Sequence, residues 1–164
     1  MNITKDIEAF SFISEALLKQ NEKSMSVSDE CAYRGFSQSL KDEILAAYNI
    51  DSDSLDDEDE AYKYYDLMRD MLAESLTDLK CAVGHIISDS WYDSDIENND
   101  VSMPSVLSAV ENSNPDWNIT GSSIAMLKAL QRVHDSRHVS DWDSFFKMFT
   151  FTEDGIYINT DILT

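Results

Sequence analysis

The sequence predicts a mainly α-helical protein with a single domain, residues 1–164, that ends in a β-hairpin. Apolar side chains recur at intervals of three and four residues through most of the chain, which is the helical period. Residues 149–152 instead alternate apolar and polar side chains, as strands do, and a second apolar run at residues 156–158 follows a turn signal. With 164 residues, 43% of them hydrophobic, the chain can bury a core without disulfides.

Three helices are expected in the first half of the chain. The first covers residues 6–20, with an apolar stripe of Ile7, Phe10, Ile13, Ala16 and Leu17. The second covers residues 39–49, with one apolar side made of Leu40, Ile44, Ala47 and Tyr48. The third is a long acidic helix from about Ser54 to Leu79. The apolar block at residues 81–88 is too short to assign by its period, and we expect it to continue as helix into the core.

Two helices with recognisable starts follow. Pro104, just inside a Ser102 cap, begins a helix that continues to about Val110. Either Ser122 or Ser123 caps the next helix. Its buried stripe consists of Ile124, Leu127, Leu130 and Val133 or His134.

The chain is expected to end with a short aromatic helix and the hairpin. Ser140 and Asp143, three residues apart, resemble a capping box. The helix that they would open carries Trp142, Phe145, Phe146 and Phe149. Asp154 and Gly155 predict the hairpin turn, because glycine adopts the positive φ that such turns require.

The net charge limits the partners that the protein can bind. The chain has 32 acidic and 12 basic side chains, a formal charge of −20. Nucleic acids and anionic membrane surfaces are polyanions, so this charge argues against direct binding to either and favours a basic partner. The chain has two cysteines, no apolar stretch near 18 residues and no cationic or apolar N-terminal signal region, so we expect a soluble cytoplasmic protein.

The negative charge is concentrated in the middle of the chain. Residues 51–100 hold 16 acidic and 3 basic side chains, whereas residues 1–50 hold 8 and 5 and residues 101–164 hold 8 and 4. Adaptation to high salt would spread acidic side chains over the whole surface, so the clustering counts against that explanation.

The long acidic helix is predicted to be apolar on one side and acidic on the other. Its apolar side consists of Ala61, Tyr65, Met68, Leu72, Leu76 and Leu79. We call its opposite side the acidic stripe: Asp59, Asp66, Asp70, Glu74 and Asp78, joined near the N-terminus by Asp56, Asp57 and Glu60. These eight residues are the candidate partner-binding residues.

The acidic stripe costs helix stability, which favours a role in binding. Like charges four residues apart destabilise a helix by roughly 0.2–0.5 kcal/mol per pair. Four residues also rise about 6 Å, which is similar to the separation of phosphates along a DNA strand. The stripe could therefore mimic DNA. The alternative is an acidic helix face that only interacts with water.

Cysteine and histidine residues give a weaker alternative. Cys81 and His85 are four residues apart, so both would lie on one face of a helix, and with Cys31 and His134 they could form a zinc module. Cys81 lies in an apolar block and His134 on a buried stripe, which favours core roles for both. No CxxC, HExxH or glycine-rich phosphate loop is present, so we predict no metal, no cofactor and no catalytic residue.

Several short blocks of the sequence resemble an uncharacterised family of small bacteriophage and prophage proteins. The blocks are CAYRG (31–35), LKCAVGHII (79–87), Trp91-Tyr92, ALQRVHD (129–135) and Trp142. The resemblance implies a phage protein and no particular activity. His85 stands where this family usually has a second cysteine. Residues 36–78, which contain the acidic stripe, separate two blocks that lie close together in the family, so we predict an acidic helical insertion there.

These observations lead to a hypothesis about function. The chain is expected to be a phage-encoded, non-enzymatic inhibitor in the host cytoplasm that presents its acidic stripe to a basic, nucleic-acid-binding defence protein, a nuclease or a CRISPR complex. The alternatives are a small acidic structural or adaptor protein without mimicry and the zinc module.

Overall fold

The prediction of a mainly α-helical fold with a C-terminal hairpin is confirmed. A computed structural model describes residues 3–24, 32–51, 59, 61–64, 66–67, 79–97, 99–152 and 155–158. The α-helices whose bounds are described are α1 (Ile3–Gln20), α2 (Gln38–Tyr48), α3 (Pro104–Ser113), α4 (Gly121–Ser136) and α5 (Trp142–Phe146). Residues 59, 61–64 and 66–67 are helical as well. The strands among the described residues are β1 (Arg34–Gly35), β2 (Leu79–Lys80), β3 (Phe149–Thr152) and β4 (Gly155–Ile158). The described 3₁₀ helices are η1 (Val83–Ile86), η2 (Ser94–Ile96) and η3 (Val139–Asp141).

The main core is formed by α1, η1 and the C-terminal half of the chain. Ile13 and Leu17 of α1 are buried as predicted, whereas Ile7 is exposed. The predicted stripe of α4 is confirmed at Leu127, Leu130, Val133 and His134, which are buried, whereas Ile124 is only half-buried. The hairpin closes the core, because Phe10 contacts Phe149 and Phe151 with ring centroids 4.9 and 5.0 Å apart.

A second, smaller cluster is built from residues of the predicted insertion. Phe36, Ile44, Ile50 and Tyr64 are buried together, and Leu40, Leu45 and Leu67 pack against them. The α2 prediction was partly wrong, since Ala47 and Tyr48 are exposed.

Strands β1 and β2 pair antiparallel, Arg34 with Lys80 and Gly35 with Leu79. Residues 36–78 therefore leave and rejoin the fold at neighbouring positions. The domain boundaries stay a prediction.

Several predicted helix starts were wrong by a few residues. Thr120 caps α4 in a capping box with Ser123, because its hydroxyl accepts from the Ser123 N–H while the Ser123 hydroxyl accepts from the Thr120 N–H. The N-cap of α3 is Met103 rather than Ser102.

The other two errors lie close to the C-terminus. Ser140 belongs to η3, in which His138 is the cap, so the expected box with Asp143 does not form. Gly155, with φ 152°, pairs with Thr152 and begins β4 instead of forming the turn.

Candidate functional site

Two residues of the acidic stripe lie in the described part of the chain, and both are exposed. Asp59 and Asp66 are helical residues, and so is Tyr64, which is buried. At 100° per residue the two carboxylates lie about 20° apart around the helix and at least about 140° from Tyr64. Asp59 and Asp66 thus face solvent, and their role in partner binding stays a prediction. The other six residues of the stripe lie outside the described residues: Asp56, Asp57, Glu60, Asp70, Glu74 and Asp78.

Burial in the described part of this helix extends beyond the predicted apolar side. Tyr64 and Leu67 pack into the second cluster, and neither belongs to the predicted side. Tyr64 lies about 60° around the helix from Ala61. Lys41 of α2 extends over the Tyr64 ring, with Nζ 5.8 Å from its centroid, which adds a cation–π contact. Tyr65, Met68, Leu72 and Leu76 lie outside the described residues.

The predicted end of the long helix was also wrong. Leu79 is a strand residue, paired with Gly35. The Gln20 side chain forms two hydrogen bonds with the Lys80 backbone, each 3.0 Å long. Its amide oxygen accepts from the Lys80 N–H, and its amide nitrogen donates to the Lys80 carbonyl. The chain is therefore extended at the position where the sequence pattern predicted the last turn. The apolar block after it is buried as expected, but it forms the 3₁₀ helix η1.

A second acidic surface, residues 89–100, is held in place by Glu97. The Glu97 carboxylate accepts hydrogen bonds from the Tyr33 N–H at 2.8 Å, the Arg34 N–H at 3.1 Å and the Tyr92 hydroxyl at 2.7 Å. Burial, with the Glu97 carboxylate adjacent, raises the pKa of Tyr92, so its hydroxyl stays protonated and donates. From the sequence alone, Glu97 contributed only to the count of acidic residues, and its role as a hydrogen-bond acceptor was not predicted.

The Arg34 side chain contacts the same segment at Tyr92 and Asp89. Its guanidinium lies 4.2 Å from the centroid of the Tyr92 ring and donates to Asp89 at 2.5 Å. The Ser102 hydroxyl and the Lys128 ammonium, 2.9 Å away, lower the pKa of Asp100 to about 2. The segment thus presents fixed carboxylates and the half-exposed ring of Trp91.

His134 and Cys81 form hydrogen bonds with nearby groups of the fold. The Ser24 N–H donates to His134 Nε2 at 3.2 Å, so Nδ1 carries the proton and donates to Asp135 at 2.9 Å. Cys81 Sγ accepts from the Gly84 N–H at 3.4 Å. Within the described residues no group of three or more His, Cys, Asp or Glu could hold a metal ion. Cys31 lies outside them.

The pKa of His85 lies well below the usual range of a histidine. Burial, with Lys80 and His134 as further contributions, lowers the pKa of His85 to about 4. The imidazole is therefore neutral at pH 7.

Comparison with known proteins identifies no family. No family model, curated protein or solved structure matches the chain. The resemblance to small phage proteins therefore stays a prediction. Across the part of the chain that the structure describes, no helix is both long enough and apolar enough to cross a membrane.

Proposed function

We propose that this protein is a phage-encoded, non-enzymatic inhibitor that presents its acidic stripe to the basic, nucleic-acid-binding groove of a host defence protein, a nuclease or a CRISPR complex. The observation that supports the proposal is the position of Asp59 and Asp66, which lie on one exposed side of a helix whose other side holds the buried Tyr64. They belong to residues 51–80, which contain 11 acidic side chains.

The physical argument is one of complementary charge. A groove that binds DNA neutralises phosphates with Lys and Arg, and a helix with a carboxylate about every 6 Å offers similar charge at similar spacing. A net charge of −20 would also speed the encounter with a positive groove. Because exposed charges are screened by salt, such binding weakens as salt concentration rises.

The experiment is a pull-down from host lysate with competition by DNA. The immobilised protein is expected to capture basic nucleic-acid-binding proteins, identified by mass spectrometry, and added duplex DNA should release them because both ligands occupy one groove. Captured proteins that added DNA does not release would contradict the mimicry.

A small adaptor protein would give a different result. Its captured partners would not be enriched in nucleic-acid-binding proteins, and their retention would be insensitive to DNA.

A further inference from the structure

A cavity of about 560 Å³ lies between α1, η1 and the residues that follow α3. Its apolar wall includes Phe12, Ile86, Ile87 and Trp117. This volume lies in the range of about 300–1,000 Å³ that is typical of small-molecule sites. Among the described residues, none of those that line it belongs to residues 36–78.

The walls of the cavity are held by hydrogen bonds, so the cavity is preformed. The Asn114 side-chain amide donates to the Ile86 carbonyl at 2.9 Å. The Ser88 N–H donates to the Ser113 hydroxyl at 3.0 Å, which ties the other edge to the end of α3. The Trp117 indole N–H donates to buried Asp6 at 2.9 Å, which fixes the ring. A preformed site loses little conformational entropy when a ligand binds.

The cavity contains a cation that is only weakly paired. Lys80 lines it, and three quarters of the Lys80 side chain is buried, with 25% exposed. The nearest carboxylate oxygen that pairs with its ammonium is Asp89 Oδ1 at 3.9 Å, beyond hydrogen-bonding distance, and that oxygen already accepts from Arg34 at 2.5 Å.

The second lysine at the cavity, Lys5, differs because Glu8 accepts its hydrogen bond at 2.8 Å. His85 also lines the cavity and is neutral at pH 7. Lys80 is therefore the cation that a bound anion would stabilise most, because its ammonium lies beyond hydrogen-bonding distance of Asp89 and can form a charge-assisted hydrogen bond with the ligand.

We propose that this cavity binds a small amphipathic anion, with its acidic group against Lys80 and its aromatic or aliphatic body against Phe12 and Trp117. The whole-molecule charge of −20 repels anions at long range, so recognition depends on the local contact with Lys80. The apolar wall selects for a ligand with a ring or chain and against inorganic anions.

The test uses two probes that differ only in the anionic group. These are 8-anilinonaphthalene-1-sulfonate and N-phenyl-1-naphthylamine, which lacks the sulfonate. Binding at pH 7 is followed by calorimetry and by energy transfer from tryptophan. The wild-type protein is expected to bind one sulfonate probe per chain, about tenfold more tightly than the uncharged probe.

Matched variants separate the contributions of charge and apolar surface. Lys80→Met should abolish the preference for the sulfonate probe, whereas Lys147→Met, at a lysine whose side chain is 73% exposed and bonded to Asp143, should retain it. Phe12→Ser should weaken the binding of both probes, whereas Tyr157→Ser should leave the binding of both unchanged. These two aromatic residues are exposed to the same degree, 56% and 57%, so both variants are expected to fold.

The proposal is overturned if the wild-type protein binds both probes equally, binds several copies without saturation, or keeps its preference in Lys80→Met. Circular dichroism melts verify that each variant is folded. If Lys80→Met does not fold, the wild-type preference between the probes and the loss of binding in Phe12→Ser decide the outcome.

Discussion

Gly84 packs against the backbone of Tyr33, with no room for a side chain between them. A Cβ at this position would lie 2.1 Å from the Tyr33 carbonyl oxygen and 3.3 Å from Lys80 Cβ. The first neighbour is backbone, which cannot rotate away. The sequence marks Gly84 as an isolated glycine in an apolar block, and only the contact with a residue far away in the chain explains it.

Gly84→Ala is therefore expected to destabilise the protein by about 2 kcal/mol or more, because the added methyl group forces β1 and η1 apart. Gly121→Ala is the matched control. Nothing lies within 4 Å of a Cβ there, and the residue begins α4, so that change should be neutral or stabilising by up to about 1 kcal/mol. Urea denaturation midpoints of the two variants measure the difference. Equal midpoints would contradict the close approach.

His85 gives the protein a pH dependence whose direction follows from its lowered pKa. The folded state holds this pKa at about 4, against an ordinary value of 6.5. Unfolding therefore takes up a proton at intermediate pH, so the contribution is fully present above about pH 6.5 and is lost as pH falls toward 4. In His85→Gln the melting temperature should decline less between pH 7 and pH 4 than in the wild-type protein. Parallel declines would show that His85 does not titrate in this way.

The positions of the helices were predicted more accurately than the contacts that their side chains make. The helical period located α1, α2 and α4, because an amphipathic helix in a single-domain protein has to bury its apolar stripe. The inward packing of Tyr64 and Leu67 was not predicted, because these residues contact a local cluster instead of the main core. The role of Glu97 could not be predicted, since its partner Tyr33 is 64 residues away and no period connects them.

Glu97 is predicted to stabilise residues 89–100 through its three hydrogen bonds. Glu97→Ala leaves two N–H groups and the Tyr92 hydroxyl without their acceptor, which should cost about 2 kcal/mol or more. Glu97→Gln keeps one acceptor oxygen and the side-chain length, so it should cost less. Thermal melts rank the variants, and amide hydrogen exchange of Tyr33 and Arg34 should accelerate in Glu97→Ala. Unchanged protection of those two amides would contradict the anchoring role.

At the scale of the whole molecule, the spacing of apolar residues predicted the fold class, while the arrangement of the elements depended on long-range pairing. Because β1 pairs with β2, Gly35 and Leu79, which flank residues 36–78, lie next to each other. The described residues of the second cluster all lie between residues 36 and 67. A two-residue strand carries no periodic signal, so the sequence could not locate this junction. The junction brings the two ends of residues 36–78 together, and the prediction that these residues are an insertion stays a prediction.

Neutralising the acidic stripe is expected to change stability and binding in opposite directions. The variant Asp66→Asn, Asp70→Asn, Glu74→Gln and Asp78→Asn removes three repulsive pairs if the segment is helical as predicted. Its stability should rise by up to about 0.5–1.5 kcal/mol, as seen in thermal melts. The matched control neutralises exposed acidic residues elsewhere: Glu15→Gln, Glu111→Gln, Asp116→Asn and Asp141→Asn.

The most direct test of the proposed function is the affinity of these two variants and the wild-type protein for the captured partner, measured between about 50 and 200 mM salt. The stripe variant is expected to bind at least about tenfold more weakly and with a shallower salt dependence, whereas the control variant, with the same net charge, should bind nearly as the wild-type protein does. Wild-type affinity and salt dependence in the stripe variant would contradict the proposal that the acidic stripe is the binding surface.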